Sequence, residues 1–396
     1  MKVSRLIITG TVALAVAGAL NAMPAAADNV RPAEQSLRGL AQRHGLQIGT
    51  AVDMAALADT ADPQYRATVA SQFSTVTAEN VMKWEVLEPT RGTYNWAPAD
   101  ELIAFAQRNR QSVRGHVLVW HNQLPGWLTA GVADGSISDT ELRVILRDHI
   151  TAVVKHFKGK IWQWDVVNEA VSDPWDSPPA IHYKGFWAQH LGDGYIADAF
   201  RWARAADAKA LLFYNDYNIE VFGSGNAADD KTQFVYEMVK RLRETGVPID
   251  GVGSQGHLGT QYGNYDTFQV SDALRRFTDL GLATAFTEVD VRSQMTAGVQ
   301  AGDSNEINPR LQASAGNFGI LLQACLSNRH CLSFTVWGFT DRHSWVPTWF
   351  TNPPEGLATL YDEAYQPKRA LGIVKAELAF SGAPYVLPRI PQKPRR

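Results

Sequence analysis

Two glutamates sit where a chain places groups that do chemistry. Trp164-Asp165-Val166-Val167-Asn168-Glu169-Ala170 is an apolar run that stops at an amide followed by a carboxylate, as a buried strand does on emerging into a pocket. Ala283 to Asp290 repeats the pattern: Thr284-Ala285-Phe286-Thr287 is uncharged and β-compatible, and Glu288 and Asp290 then appear. Carboxylates at the ends of two buried strands suit cleavage of a glycosidic bond, one protonating the leaving oxygen while the other attacks or stabilises the sugar carbon. Glu169 is therefore the candidate general acid and Glu288 the candidate nucleophile. Either glutamate alone is as readily an ordinary solvated strand end. The other strand ends decide between the two readings.

The elements that must hold these residues follow one rhythm. Eight apolar, β-like runs, at 45–52, 73–79, 112–120, 161–168, 210–217, 249–256, 282–290 and 332–339, alternate with amphipathic stretches of helical period. Strands fed by helices imply parallel pairing, because a parallel connection needs a crossover. Eight such units predict a single (β/α)8 barrel of α/β class, with its active site at the carboxyl ends of the strands. At 396 residues, one large barrel and two ordinary domains both fit the length. The clearest helix follows the third run, where Ser138 and Glu141 form a capping box ahead of Leu142, Ile145, Leu146, His149, Ile150, Val153 and Phe157, and Gly159 closes it. Phe234, Met238 and Leu242, and then Val270, Leu274 and Phe277, mark two later helices.

Polar and aromatic residues gather at the strand ends. The second run leads into Glu79, Asn80, Lys83 and Trp84, and the third into His116, Trp120, His121 and Gln123. The fifth gives Asn215-Asp216-Tyr217-Asn218, the sixth Gln255 and His257, and the eighth Trp337, Asp341 and Trp345. Amides, imidazoles, Lys and Trp are side chains that hold sugar hydroxyls and sugar faces. Period-two alternation puts His116, Leu118 and Trp120 on one face, and Phe286, Glu288 and Asp290 on one face. Asn168 and Glu169 are adjacent and cannot both point inward from an ideal strand, so one must ride on a bulge or on the first loop residue. The histidines are not spaced as a zinc motif, and no metal or cofactor site is expected.

Charged residues make up 19% of the chain and the net charge is -3, which leaves no basic footprint for nucleic acid. Lys2 and Arg5, the apolar stretch Leu6 to Leu20 and Ala25-Ala26-Ala27 read as a secretory signal peptide over 1–27. That apolar stretch is shorter than the roughly 20 residues of a membrane span, so export is expected rather than anchoring. The catalytic barrel is then expected over 28–380, with a proline-rich basic tail over 381–396. Cys325 and Cys331 either close a small loop in an oxidising compartment or stay as two buried thiols.

The strings TAENVMKW from 77, GHVLVWHNQLP from 115, WDVVNEA from 164, NDYN from 215, SQGH from 254, TEVD from 287 and WGFTDRHSW from 337 resemble glycoside hydrolase family 10 in order and spacing. The likeness runs along nearly the whole expected mature chain and looks closest to secreted actinobacterial endo-1,4-β-xylanases. Val289, Val117 and Arg369 depart from more usual Leu, Thr and Pro. The resemblance implies Glu169 as acid/base and Glu288 as nucleophile of a retaining enzyme, with their carboxyl groups about 5 to 5.5 Å apart. It implies sugar contacts from Glu79, Asn80, Lys83, His116, Trp120, Gln123, Asn168, Gln255, Trp337 and Trp345, with Asn168 on the 2-hydroxyl and Tyr217 on the leaving-group side. It also implies that His257 bonds Glu288 while Asp290 holds the imidazole, and that Cys325 and Cys331 pair. Xylan would be the substrate of a monomer. A β-1,4-glucanase or cellulase on the same barrel, or a polysaccharide-binding barrel without activity, are the competing readings.

Overall fold

The computed structural model describes residues 34–178, 180–223 and 230–380. The expected signal peptide over 1–27 and the tail over 381–396 lie outside the described residues. Among the described residues ten strands are present: β1 (Gln47–Val52), β2 (Thr75–Ala78), β3 (Ser112–Gly115), β4 (Gln163–Asn168), β5 (Leu211–Asp216), β6 (Gly251–Ser254), β7 (His257–Gly259), β8 (Ala283–Gln294), β9 (Cys331–Val336) and β10 (Glu355–Gly356). Parallel pairing runs from β1 through β6 to β8 and β9, and β9 pairs back onto β1. Eight strands thus close a (β/α)8 barrel, each of the eight predicted runs supplying one.

Helices cover the barrel as their periodicity requires. In helix Asp139–His156 the Ser138 hydroxyl accepts from the Glu141 amide, and Leu142, Ile145, Leu146, His149, Ile150 and Val153 are buried. Gly159 follows at φ 75°, a left-handed turn that glycine enters without a side-chain clash. Met238 and Leu242 are buried in helix Lys231–Glu244, and Val270, Leu274 and Phe277 in helix Thr267–Asp279. Cys325, near the end of helix Ser304–Ser327, and Cys331, which opens β9, are joined by a disulfide.

Two features depart from the reading of the runs. The third strand ends at Gly115 instead of 120. Beyond it the backbone meets β4 through Leu118 N–H to Asp165 C=O, Asn168 N–H to Val119 C=O and the bridge of Val119 to Val167. Strand alternation therefore does not set the directions of His116, Leu118 and Trp120; Leu118 belongs to the apolar core, while His116 and Trp120 reach the site. The seventh barrel strand, β8, runs on to Gln294, because β7 pairs along its upper half and β10 caps it antiparallel. Local period cannot foresee pairings of two or three residues between distant segments.

The barrel interior carries a polar layer. Arg114 on β3, 1% exposed, places its guanidinium against Asp165 on β4, Thr77 on β2 and the Thr287 carbonyl on β8. Thr287 Oγ1 donates to Asn215 Oδ1 on β5 at 2.7 Å. Five strands are thereby tied together beneath the carboxyl end of the barrel, where a wholly apolar core would leave a buried carboxylate without a partner.

Candidate active site

Glu288 stands directly on the polar layer. Its Oε1 accepts from Asn215 Nδ2 at 2.8 Å and from Arg114 Nη2 at 3.2 Å, and its Oε2 lies 3.2 Å from His257 Nε2. Burial alone would raise its pKa, but His116, His257 and Arg114 around it pull the carboxyl down to about 2. His257 is caught between carboxylates, with Nδ1 2.9 Å from Asp290 Oδ2. Burial would lower the imidazole; Asp290 and Glu288 instead raise it to about 10, so it is a cation that donates from both nitrogens. Trp345 Nε1 donates to the same Asp290 oxygen at 2.8 Å, which sets its indole beside His257.

Glu169 is the first residue past β4 and has φ 56°, so the chain turns there and the adjacent Asn168 and Glu169 both reach the site. A register shift between Asp165 and Val167 lies in the same strand. Both devices that the adjacency called for are present. Glu169 Oε2 accepts from Trp120 Nε1 at 2.8 Å, and Oε1 from Gln255 Nε2 at 2.9 Å and Asn168 Nδ2 at 3.0 Å. Asn168 Oδ1 in turn accepts from Asn215 Nδ2 at 2.8 Å, and the same amide reaches Glu288. A continuous run of amide hydrogen bonds therefore connects the two carboxylates.

The remaining expected residues surround this pair. His116 Nδ1 lies 2.9 Å from Asp165 Oδ2 and 3.8 Å from Glu288 Oε1. Trp337 packs edge to face with His116 and lies 5.9 Å from the Arg114 guanidinium carbon. Lys83 bonds Asn80 Oδ1 at 3.1 Å and sits 5.0 Å from the Trp120 ring; Gln123 bonds Glu85 at 2.9 Å and reaches Asn80 at 3.5 Å. Burial, with Asp53 nearby, raises Glu79 to about 7, so near neutral pH it is available to sugar hydroxyls as donor or acceptor. Tyr217 takes a hydrogen bond from Lys184 Nζ at 2.7 Å and has the Lys231 ammonium 3.6 Å from its ring centroid.

Three site residues were not assigned from the sequence: Arg114, Asp165 and Asn215. Arg114 and Asp165 had a legible signal, since charges of opposite sign inside neighbouring apolar strands must pair. His116 Nδ1, Asp165 Oδ2 and Glu288 Oε1 lie within 4.8 Å of one another, a cluster that could suggest a metal. Arg114 Nη2, 2.6 Å from Asp165 and 3.2 Å from Glu288, already supplies the cation. A divalent ion there would face the guanidinium, so the donor set does not fit one.

A closed barrel whose strand ends carry two linked carboxylates, ringed by amides, imidazoles and Trp, defines a glycoside hydrolase. The family model described as Glycosyl hydrolase family 10 matches residues 36–377, and the chain belongs to that family. It is 40% identical over 334 residues to Endo-1,4-beta-xylanase B of Thermotoga neapolitana, covering 84% of this chain and 88% of that one. Endo-1,4-beta-xylanase 1 of Humicola insolens is 37% identical over 358 residues, covering 88% and 75%. Among solved structures, xylanase 10B of Thermotoga petrophila in complex with xylobiose aligns with a TM-score of 0.77 at 38% identity, covering 87% of this chain and 97% of that one. Native xylanase 10B of Thermotoga maritima gives 0.77 at 40%, covering 87% and 98%.

Proposed function

We propose that the chain is a secreted, retaining endo-1,4-β-xylanase of the type found in actinobacteria, a monomer that hydrolyses internal bonds of xylan and xylo-oligosaccharides without a cofactor, nucleic acid or membrane. The observation that carries this reading is the contrast between the two carboxylates. Glu288 is held ionised at about 2 by its charged surroundings, as a nucleophile must be. Glu169 has only neutral donors on its oxygens. Glu288 attacks the anomeric carbon while Glu169 gives its proton to the departing oxygen. The resulting ester removes the charge of Glu288, and Glu169 then takes a proton from the incoming water. Asn168, fixed by Asn215 and Gln255, binds the 2-hydroxyl as positive charge develops on the sugar.

The named activities of the relatives and the xylobiose complex support the substrate. The basic and apolar N-terminus and the disulfide support export. Among the described residues no helix is long and apolar enough to cross a membrane. The deciding assay is reducing-sugar release from xylan and from carboxymethylcellulose. Xylan should win by about 1 to 3 kcal/mol for each subsite that rejects a hydroxymethyl group, and equal rates favour the glucanase reading. Proton NMR of the first-formed product from a β-xyloside should show the β-anomer; an initial α-anomer makes Glu288 a general base instead.

A further inference from the structure

We infer that Trp187, which lies outside the sugar-binding residues, is a positioning residue for the acid/base: it holds Trp120, whose indole in turn holds Glu169. The inference rests on the reading of Glu169 given above. Trp120 sits on a stretch that has left the barrel ladder, so its carbonyl needs a partner from elsewhere. Trp187 Nε1 donates to that carbonyl at 2.8 Å, and Trp120 Nε1 donates to Glu169 Oε2 at 2.8 Å. Two successive indole hydrogen bonds thus run from the buried Trp187 to the acid.

The helix that carries Trp187, Gly185–Leu191, is fixed at its start on both sides of this path. Lys184 N–H donates to the carbonyl of Ala170, the residue after Glu169, at 2.9 Å. Gly185, at φ 82°, lies against the residue after Trp120: a Cβ there would fall 2.6 Å from His121 Cβ, so only glycine allows the approach. The face of Trp187 is fixed as well. It stacks on Trp84 at 5.4 Å and 13°, and Trp84 stacks on His149 at 3.6 Å and 12°. Glu88 anchors that stack by accepting from Trp84 Nε1 at 2.9 Å and lying 3.0 Å from His149 Nδ1. A tryptophan that only filled volume would need the stack alone. The bond to the Trp120 carbonyl and the two anchors beside it set the angle at which the Trp120 indole meets Glu169.

The test is Trp187→Phe, which keeps an aromatic ring on Trp84 and removes the N–H, compared with Trp120→Phe and Glu169→Ala. Each is assayed on aryl β-xylobiosides whose phenols span a wide range of acidity, alongside thermal melting. Loss of one hydrogen bond that acts through Trp120 should lower kcat/KM about three- to tenfold for the poorest leaving groups and leave dinitrophenyl xylobioside unchanged. Trp120→Phe should show the same kind of dependence on the leaving group with a steeper slope. Replacing Trp187 with benzothienylalanine, which keeps the indole shape and lacks the donor, should reproduce the pattern if the Phe variant does not fold. A uniform loss over all leaving groups, or none, overturns the inference whatever the melting temperature does. If Glu169→Ala itself loses activity uniformly, the acid assignment falls and the inference with it. If Glu169→Ala depends on the leaving group and neither replacement of Trp187 does, only the inference falls.

Discussion

The surroundings of Glu288 and of Glu169 are built on opposite plans. Glu288 lies within β8 and is met by Arg114, His257 and Asn215, two of them cations. Glu169 lies one residue beyond the end of its strand, in a left-handed turn, and is met by an indole and two amides. A cation bonded to a carboxylate favours one ionisation state strongly, whereas neutral donors fix position with a weaker bias. On the mechanism proposed above, the group that keeps its charge until it bonds to carbon is thus embedded in charge, and the group that must release and regain a proton is held by orientation. The two carboxylates differ less in residue type than in what the neighbouring strands bring to them.

The contrast can be broken most severely at the carboxylates. Glu288→Ala should lower kcat on every substrate by roughly 10⁴- to 10⁶-fold, the scale on which removing a nucleophile acts. Glu169→Ala should lose about 10²- to 10⁴-fold on xylan and far less on dinitrophenyl xylobioside. Azide should rescue this second variant by giving a β-azide, because a small anion needs no general base. A Glu288→Ala enzyme that keeps measurable turnover of aryl glycosides would reverse the two assignments.

Arg114→Met comes next. Asp165 would be left without its guanidinium partner at a site where both groups are at most 1% exposed. Removing one member of a buried pair costs about 3 to 5 kcal/mol of stability, which urea unfolding would measure. Glu288 also loses a donor, so kcat should fall on good and poor leaving groups alike, the opposite of the pattern for Glu169→Ala. A smaller effect is expected from Gln255→Leu, which removes one neutral donor from Glu169. About tenfold in kcat/KM, confined to poor leaving groups, is the expected loss; a uniform loss would mean that Gln255 serves the sugar and not the acid.

The mildest probe is pH, read as melting temperature. His257 is raised to about 10 from an ordinary 6.5, so its stabilisation is complete below 6.5 and fades as pH rises towards 10. Glu288 is lowered to about 2 from 4.5, so its stabilisation is present above 4.5 and fades as pH falls towards 2. This pair should place the stability maximum between about pH 4.5 and 6.5. Glu288→Gln should flatten the acid arm and His257→Gln the alkaline arm, and unchanged arms in both variants would show that the charges do not interact.

The barrel was legible because eight apolar runs separated by helical stretches leave few other ways to bury both faces of a parallel sheet. The end of β3 was not legible, since Val117-Leu118-Val119 stays apolar after leaving the ladder and composition cannot tell a strand from a buried loop. At Asn168-Glu169 the sequence was more informative, as two neighbouring polar residues that both face a pocket require a break in the alternation. Asn215 was visible in its string, yet its role as the amide between the carboxylates depends on how β4, β5 and β8 stack, which no single segment encodes. The indole of Trp187 belongs to the same class of fact.

The pairing of Arg114 with Asp165 also has a consequence for how such a barrel changes over generations. Each charge inside the sheet meets the other at 2.6 Å, so a lineage that loses one passes through a chain whose remaining interior ion lacks its nearest partner before it can lose the second. The two codons are therefore epistatic. Gradual drift can reshape the cleft rim freely, but it meets a fitness valley at this pair, and a barrel that reached an apolar floor would have to arrive there by a simultaneous change or from a more stable background.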